Sequence, residues 1–502
     1  MKQPNILLVV SDQEQSWDLL PPGLERPGLE RLRARGTSFA RSHMVALPCG
    51  PGRSVLYTGQ HTVGTGLHVN PNSAGVHMST DVPTIGAMLR AHGYATAYKG
   101  KWHLSRIVTP DPMRGSAVNA LEEYGFSEFN PGGDVVGLGW EGYGQDPVIV
   151  SAAARWLQGH GGKPTDRPWF LAVNFINPHD VMFYDATGAM NATGTVAEPR
   201  MPAPLDPIYE REWDLPLPVS FTDDLSGKPA SQRARIARMN GLLGEIPRAD
   251  EAAWRRLRSY YLNCLADLDR HVGRLLDVLA ATGHDRDTVV VYTTDHGEGA
   301  GAHGFRDKPH SLYREVLNTP LVIAHPDAPS QVESSALVSC VDLAPTILGL
   351  AGVSAEVVAE AHPQLRGHDL SALVGQPRRT SSRDDEGILV SMGGPALGPD
   401  FRGTIHGLID QSWKLGRYFG ADDPWIAAPG RLAADGDLEL YDLDADPHEL
   451  DNLAYRPEYA AQLDHLGRRL TALVARELGT ADPRPLGSLG HRVDPSADLV
   501  RP

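Results

Sequence analysis

Apolar residues along this chain gather in short unbroken runs that stop abruptly at polar groups. NILLVV at 5–10 runs into Ser11-Asp12, and the run at 94–98 leads to Lys99-Gly100-Lys101-Trp102-His103. In the same way 169–175 leads to Asn177-Pro178-His179-Asp180, and 288–293 to Asp295-His296-Gly297. Runs without polar alternation predict strands buried on both faces, and helical patterns between them predict a parallel sheet with crossover helices. Those helices are legible as stripes. Ile85, Met88 and Leu89 share one face of 84–92, with Gly93 placed to end it. Leu265, Leu268, Val272, Leu275, Leu276 and Leu279 line one side of 262–279, and 342–350 forms another helix with Pro345 in its first turn. Ligands of such α/β sheets bind beyond the carboxyl ends of the strands. Four strands here end in groups suited to binding metal or moving protons.

The stretch 185–250 is rich in Pro, Gly and charge and lacks period, which predicts an irregular, lid-like excursion over the active face. A similar stretch at 356–386 reads as a connection. Beyond it lie strand-like segments at 387–391, 404–414 and 438–443 and a helix over 457–477, enough for a small α+β unit. The predicted division is a catalytic α/β domain over 1–385, an α+β subdomain over 386–479 and an extended tail over 480–502, which offers a contact for a homo-oligomer.

Composition narrows the function. With 502 residues, Lys+Arg 46 and Asp+Glu 62, the net charge of −16 argues against nucleic acid or an anionic membrane as partner. The 52 Gly and 40 Pro residues indicate many loops around a packed scaffold. Three cysteines, Cys49, Cys264 and Cys340, make no disulfide framework and suit a reducing compartment. No run approaches the ~18 apolar residues of a membrane span, so the expected location is cytoplasmic.

The chemistry concentrates around Cys49. In Leu47-Pro48-Cys49-Gly50-Pro51-Gly52-Arg53 the cysteine sits among turn formers directly before a helical stretch, where free backbone N–H groups and Arg53 favour an oxyanion. Asp12, Asp295 and His296 offer two carboxylates and an imidazole from strand ends, the donor set of a divalent cation, to which Gln13 adds an amide oxygen. Lys101 and His103 share a tight turn with Trp102 as its anchor in the core. Pro178 fixes the turn at His179, with Asp180 placed to orient its ring. Lys308, His310 and His303 lie in an aperiodic loop, and His68 and Asn70 follow the helix of Cys49 as candidates for the substrate pocket.

Cys49-x-Pro51-x-Arg53 followed by Leu56-x-Thr58-Gly59 resembles the signature of the type I sulfatases, in the alkaline phosphatase superfamily. Other landmarks occur in matching order, from Pro4-Asn5-Ile6 with Asp12 through Gly100-Lys101-Trp102-His103, Asp295-His296-Gly297 with Lys308, and Asp342-Leu343-Ala344-Pro345-Thr346, to Asn452-Leu453. The resemblance implies an alkaline-phosphatase-like mixed, mostly parallel sheet flanked by helices, with the smaller C-terminal α+β subdomain. It implies oxidation of Cys49 to Cα-formylglycine by a formylglycine-generating enzyme and one divalent cation, calcium by family habit, with Mn, Mg or Zn also compatible with an imidazole ligand. Cys49, once converted, joins the metal ligands. Its hydrated aldehyde is then the nucleophile, Asp295 takes the proton, Arg53, Lys101 and Lys308 neutralise the ester, and a histidine or Lys308 protonates the leaving oxygen, His179 first with His310 in reserve. His103 finally deprotonates the remaining hydroxyl and so releases sulfate.

Two departures bear on the substrate. Gly52 stands where many members carry Ser or Ala. Asp12-Gln13 and Asp295-His296 stand where many carry Asp-Asp and Asp-Asn, a pattern similar to phosphonate monoester hydrolases and choline-sulfatase-like enzymes. The reading is a sulfatase for a small anionic sulfate ester or sulfamate. Its alternatives are a phosphonate monoester or phosphodiester hydrolase with the same residues, and a non-catalytic binding protein on this fold.

Overall fold

The computed structural model describes residues 3–71, 76–107, 116–161, 167–189, 199–393, 401–428 and 430–483. Its main sheet has seven strands: β1 Asn5–Asp12, β2 Thr37–His43, β3 Ala95–Gly100, β4 Trp169–Pro178, β5 Thr288–Thr294, β6 Leu321–Ala324 and β7 Val332–Ser339. Their order is β3-β4-β1-β5-β6-β2-β7, parallel throughout except that β6 runs antiparallel to both its neighbours. The unbroken apolar runs have the cause inferred for them. Ile6, Leu8 and Val10 of β1 enter the core on one face while Leu7 and Val9 enter a second core on the other, every one of them 0–1% exposed. At about 1.5–3 kcal/mol for each fully buried aliphatic side chain, this strand alone strongly favours the centre of the sheet.

A second sheet of four antiparallel strands, β8 Ile388–Met392, β9 Thr404–Ile409, β10 Trp413–Phe419 and β11 Asp437–Asp442, is covered by the helix Ala460–Glu477. The predicted strand at 404–414 is in fact one strand and a hairpin turn. The Asp410 carboxylate accepts the N–H groups of Ser412 and Trp413 and so turns the chain into β10. The stretch 185–250 is less irregular than its composition suggested, because Ala230–Leu243 forms a helix with Met239 and Leu243 buried. Arg233, exposed, and Arg235 and Arg238, half-buried, hid that apolar edge. The helix predicted over 262–279 extends across Glu251–Ala281, starting where Asp250 caps the N–H of Ala253. Of the predicted tail, 484–502 lies outside the described residues. Among the described residues no single helix is long and apolar enough to cross a membrane.

The C-terminal helix is tied to the main sheet by buried charge. Glu477 accepts from Arg383 Nη1 at 2.7 Å and meets His61 Nε2 at 2.9 Å, while Arg383 Nη2 donates to Asp342 at 2.9 Å. Burial alone would raise the Glu477 pKa, but the bond to His61 and the Arg383 charge outweigh it and hold the carboxyl well below the usual range. A depressed folded-state pKa contributes stability that is full above the unfolded value, about 4.3, and disappears as pH falls below it. Arg383→Ala is therefore expected to destabilise the protein by about 3–5 kcal/mol at pH 7, as for one partner removed from a buried pair. Denaturant titrations over a pH series should show that difference shrinking below about pH 4.

Candidate active site

Four adjacent parallel strands, β3-β4-β1-β5, open their carboxyl ends on the same edge of the sheet. β1 finishes in Asp12, β5 runs into Asp295-His296, β3 into Lys101-Trp102-His103, and β4 into His179. Into this edge points the helix Cys49–Thr58, with Cys49 as its first residue. Gly52 lets the helix approach β5 closely: a Cβ there would stand 2.7 Å from the carbonyl oxygen of Asp295. The N–H of Gly50 is taken by Asn70 Oδ1 at 2.9 Å, which holds the first turn in place.

Asp12, Cys49, Asp295 and His296 form one buried group, their ligand atoms all within 4.8 Å of one another. His296 Nε2 lies 3.2 Å and Asp12 Oδ1 3.7 Å from Cys49 Sγ. Burial, and after it the nearby Asp12 charge, pushes the Cys49 thiol up, so the unmodified side chain is a neutral thiol, the opposite of an activated cysteine nucleophile. Lys101 Nζ pairs with Asp12 Oδ2 at 2.7 Å. Burial would raise Asp12, but Lys101 and further positive neighbours outweigh it and hold this carboxyl well below its ordinary range. Asp295 goes the other way, raised by burial and by the Asp12 charge. Two carboxylates facing each other out of water need positive charge between them, and with an imidazole and Cys49 at the same point the donor set fits a divalent cation.

Arg53 is fully buried and ties the edge together. Its Nε donates to the Trp102 carbonyl at 3.0 Å, and its Nη2 to the Lys101 carbonyl, the Asn174 side chain and Tyr98 Oη. Only Nη1 faces the cluster, 3.6 Å from Asp295 Oδ2. Lys308 Nζ donates to Gln13 Oε1 at 2.7 Å and to His179 Nε2 at 3.2 Å. Burial first, then Lys308 and Lys101, lowers the His179 pKa well below the usual histidine range, so its ring is neutral and accepts from Lys308. His103 is lowered likewise by burial and Lys101. Its turn is gripped by Asp134, which takes the N–H groups of Trp102 and His103 at 2.7 and 2.8 Å.

Comparison with known proteins matches residues 4–353 to the family model described as Sulfatase. The chain belongs to the sulfatase family. It is 25% identical to an N-acetylglucosamine-6-O-sulfatase of Bacteroides thetaiotaomicron, over 93% of this chain and 85% of that protein. It is 26% identical to a choline-sulfatase of Rhizobium meliloti, over 91% of this chain and 83% of that one. Such relatives are enzymes that hydrolyse sulfate esters. A phosphonate monoester hydrolase from Silicibacter pomeroyi has the same alkaline-phosphatase-like fold, with a TM-score of 0.71 at 22% identity over 95% of this chain and 96% of that one.

The structure of this sulfatase brings Asp12, Cys49, Arg53, Lys101, His103, His179, Asp295, His296 and Lys308 to one edge of the sheet. Several other expected residues sit differently. Gln13, offered as an added oxygen for the cation, lies beside the group with its amide oxygen accepting from Lys308 and its nitrogen donating to Glu298. Asp180 does not bond the His179 ring itself: its carboxylate accepts the N–H groups of Gly142 and Tyr143. His310 turns to the Gly403 carbonyl at 2.9 Å, and burial followed by Arg235 takes its pKa down to about 3. His303 lies against Asp223 at 2.7 Å and stacks on Tyr313, in a second buried group with Glu315 and Glu449. There Lys414 and the N–H of Arg314 already hold Glu449. His68 is exposed beside Gly393.

The residues that the sequence did not flag are Asp134, Asn174 and Glu298, each a polar side chain in a turn or strand whose partners come from distant segments. Elemental analysis tests the ligand set. Asp12→Ala and Asp295→Asn are expected to weaken metal binding by more than the ~10–100-fold typical of outer-shell changes, whereas Gln13→Ala stays within that range. Equal loss in all three would contradict the assignment.

Proposed function

We propose that this chain is a type I sulfatase that hydrolyses a small anionic sulfate ester or sulfamate, with Cys49 oxidised to formylglycine and one divalent cation, calcium first among the candidates. The observation that carries the reading is the buried Cys49 thiol, pushed up in pKa beside Asp12 and held against His296, two carboxylates and the start of a helix. A thiol so placed is a poor thiolate but a well-placed precursor. Held by Asp12, Asp295, His296 and residue 49, the cation would neutralise ester charge, and the hydrated aldehyde would supply the attacking hydroxyl.

The chain's own residues complete the scheme. Lys101 and Lys308 carry the positive charge that receives the sulfate oxygens, each held in place by a buried acceptor, Asp12 and Gln13. Arg53 keeps Asp295 and the Lys101 turn in register rather than serving as a free clamp. Asp295, in the buried group beside residue 49, takes the proton of the attacking hydroxyl. The proton for the departing oxygen is held in the Lys308–His179 hydrogen bond, and His103, neutral in its pocket, accepts the last proton as sulfate leaves. His296 in the cation group, with Gln13 in place of a second aspartate, supports a second reading, phosphonate monoester or phosphodiester hydrolysis by the same residues. Rates on paired aryl sulfate and aryl phosphonate esters decide: the sulfatase reading expects the larger kcat/KM for the sulfate, and the reverse order favours the second.

Maturation follows from burial. Cys49 and Arg53 are 1% and 0% exposed and Pro51 is buried between them, so a formylglycine-generating enzyme has to read this segment before the fold closes. Folded, unmodified protein is expected to resist the maturing enzyme while a peptide spanning the same residues is converted, as mass spectrometry of the Cys49 peptide would show. Cys49→Ala is expected to fold and to lose nearly all turnover. A fully active sample carrying only the unmodified thiol would falsify the reading.

A further inference from the structure

His179 depends on an irregularity in β4. Opposite β1 the register passes from Val10↔Asn174 to Asp12↔Pro178, so β4 takes four steps where β1 takes two. The extra residues cannot continue the β1 ladder, and unmade backbone bonds in a dry interior are expensive. Asp146, in the helix Glu141–Gly161, meets them: its two carboxylate oxygens accept the N–H groups of Ile176 at 2.7 Å and Asn177 at 3.0 Å. On the far side of His179 the exchange is reversed. Asp180 accepts the N–H groups of Gly142 and Tyr143, both at 2.8 Å, which are free first-turn donors of that same helix. Both aspartates are 0–1% exposed.

The helix entry also meets the His179 ring. A Cβ at Gly137 would stand 2.6 Å from Nδ1, and Gly137 adopts a φ of +94°, so glycine is required twice over. The Glu141 carboxylate holds this turn by accepting the N–H groups of Gly137 and Leu138. Three carboxylates on one short stretch of helix and strand thus hold the backbone on both sides of His179 and the Gly137 turn against its ring.

We propose that Asp146 and Asp180 are positioning residues for His179, a reciprocal carboxylate clasp between the strand bulge and the helix start that sets the imidazole against Lys308. The inference rests on the leaving-group role given to His179 above. Asparagine in place of either aspartate keeps the size but offers one acceptor and an opposing NH2 to a pair of N–H donors, so the bulge and the helix start shift apart. A displacement near 1 Å costs about 10²-fold in rate. That loss should appear in kcat for the step that needs a proton.

The test is a double-mutant cycle on the mature, metal-loaded enzyme with an alkyl sulfate and a nitrophenyl sulfate. Asp146→Asn and Asp180→Asn, each checked for folding by near-ultraviolet circular dichroism, are expected to lower kcat on the alkyl ester by about 10²-fold with KM little changed. The loss on the nitrophenyl ester, whose phenolate leaves unaided, should be severalfold smaller. In a His179→Ala background neither substitution should lower the rate further. Losses that are equal for both esters, or that multiply with His179→Ala, overturn the clasp. The two aspartates are tested separately, so a folding failure at one leaves the cycle at the other. His179→Ala alone addresses the underlying role: without an extra loss on the alkyl ester that role fails, while the cycle still reads whether the aspartates act through His179.

Discussion

Asp12 and Asp295 end neighbouring strands with their carboxylates in one buried group, and neither touches solvent. Two such charges cannot share a dry site unless positive charge is brought to them. Much of the surrounding structure does that. Lys101 pairs directly with Asp12, Arg53 faces Asp295 through one nitrogen, and Lys308 is anchored nearby on Gln13. The two carboxyls differ accordingly, Asp12 held down by Lys101 against its burial and Asp295 driven up by burial first and then by the Asp12 charge. A site under this tension is suited to a divalent cation and, with the cation bound, to an anionic ester that would otherwise be repelled.

The same constraint explains the polar groups around the edge. Lys101 and His103 lie on a turn whose two N–H groups would be unpaired without Asp134, and Arg53 would be a buried charge without the Trp102 and Lys101 carbonyls, Tyr98 and Asn174. Asn174 carries a second bond from Tyr57 Oη at 2.7 Å, and so joins the Cys49 helix to β4. Trp102, wholly buried among Tyr57, Tyr98, Tyr124 and Phe126, fixes the turn from the apolar side. Rigidity of this kind keeps charges where a developing charge will need them.

The parts of the fold legible in the sequence were those with one dominant cause. β1, β4 and β5 read as strands because both their faces are buried, and the stripe from Leu265 to Leu279 read as a helix because one face is. β2, with the sequence TSFARSH, was missed: Arg41 and His43 interrupt its apolar pattern, and its place between β6 and β7 depends on backbone pairing. The helix Glu141–Gly161 was hidden by Gly142, Gly144 and Pro147 in its first turns, which the Asp180 carboxylate supports from outside the helix. At the site, residues that end strands were legible because their place follows from topology. The place of Gln13 was not legible, because an amide offers both an acceptor and donors, and only its partners, Lys308 and Glu298, show which end faces what. Asp134 and Asn174 carry no local signal at all.

Anomalous diffraction from crystals of the active, metal-loaded protein tests the central claim most directly. The account predicts a single strong peak bonded to Asp12, Asp295, His296 and the converted side chain at 49, with Gln13 still on Lys308. A peak among His303, Glu315 and Glu449, or an active enzyme with no peak between the two aspartates, would contradict it.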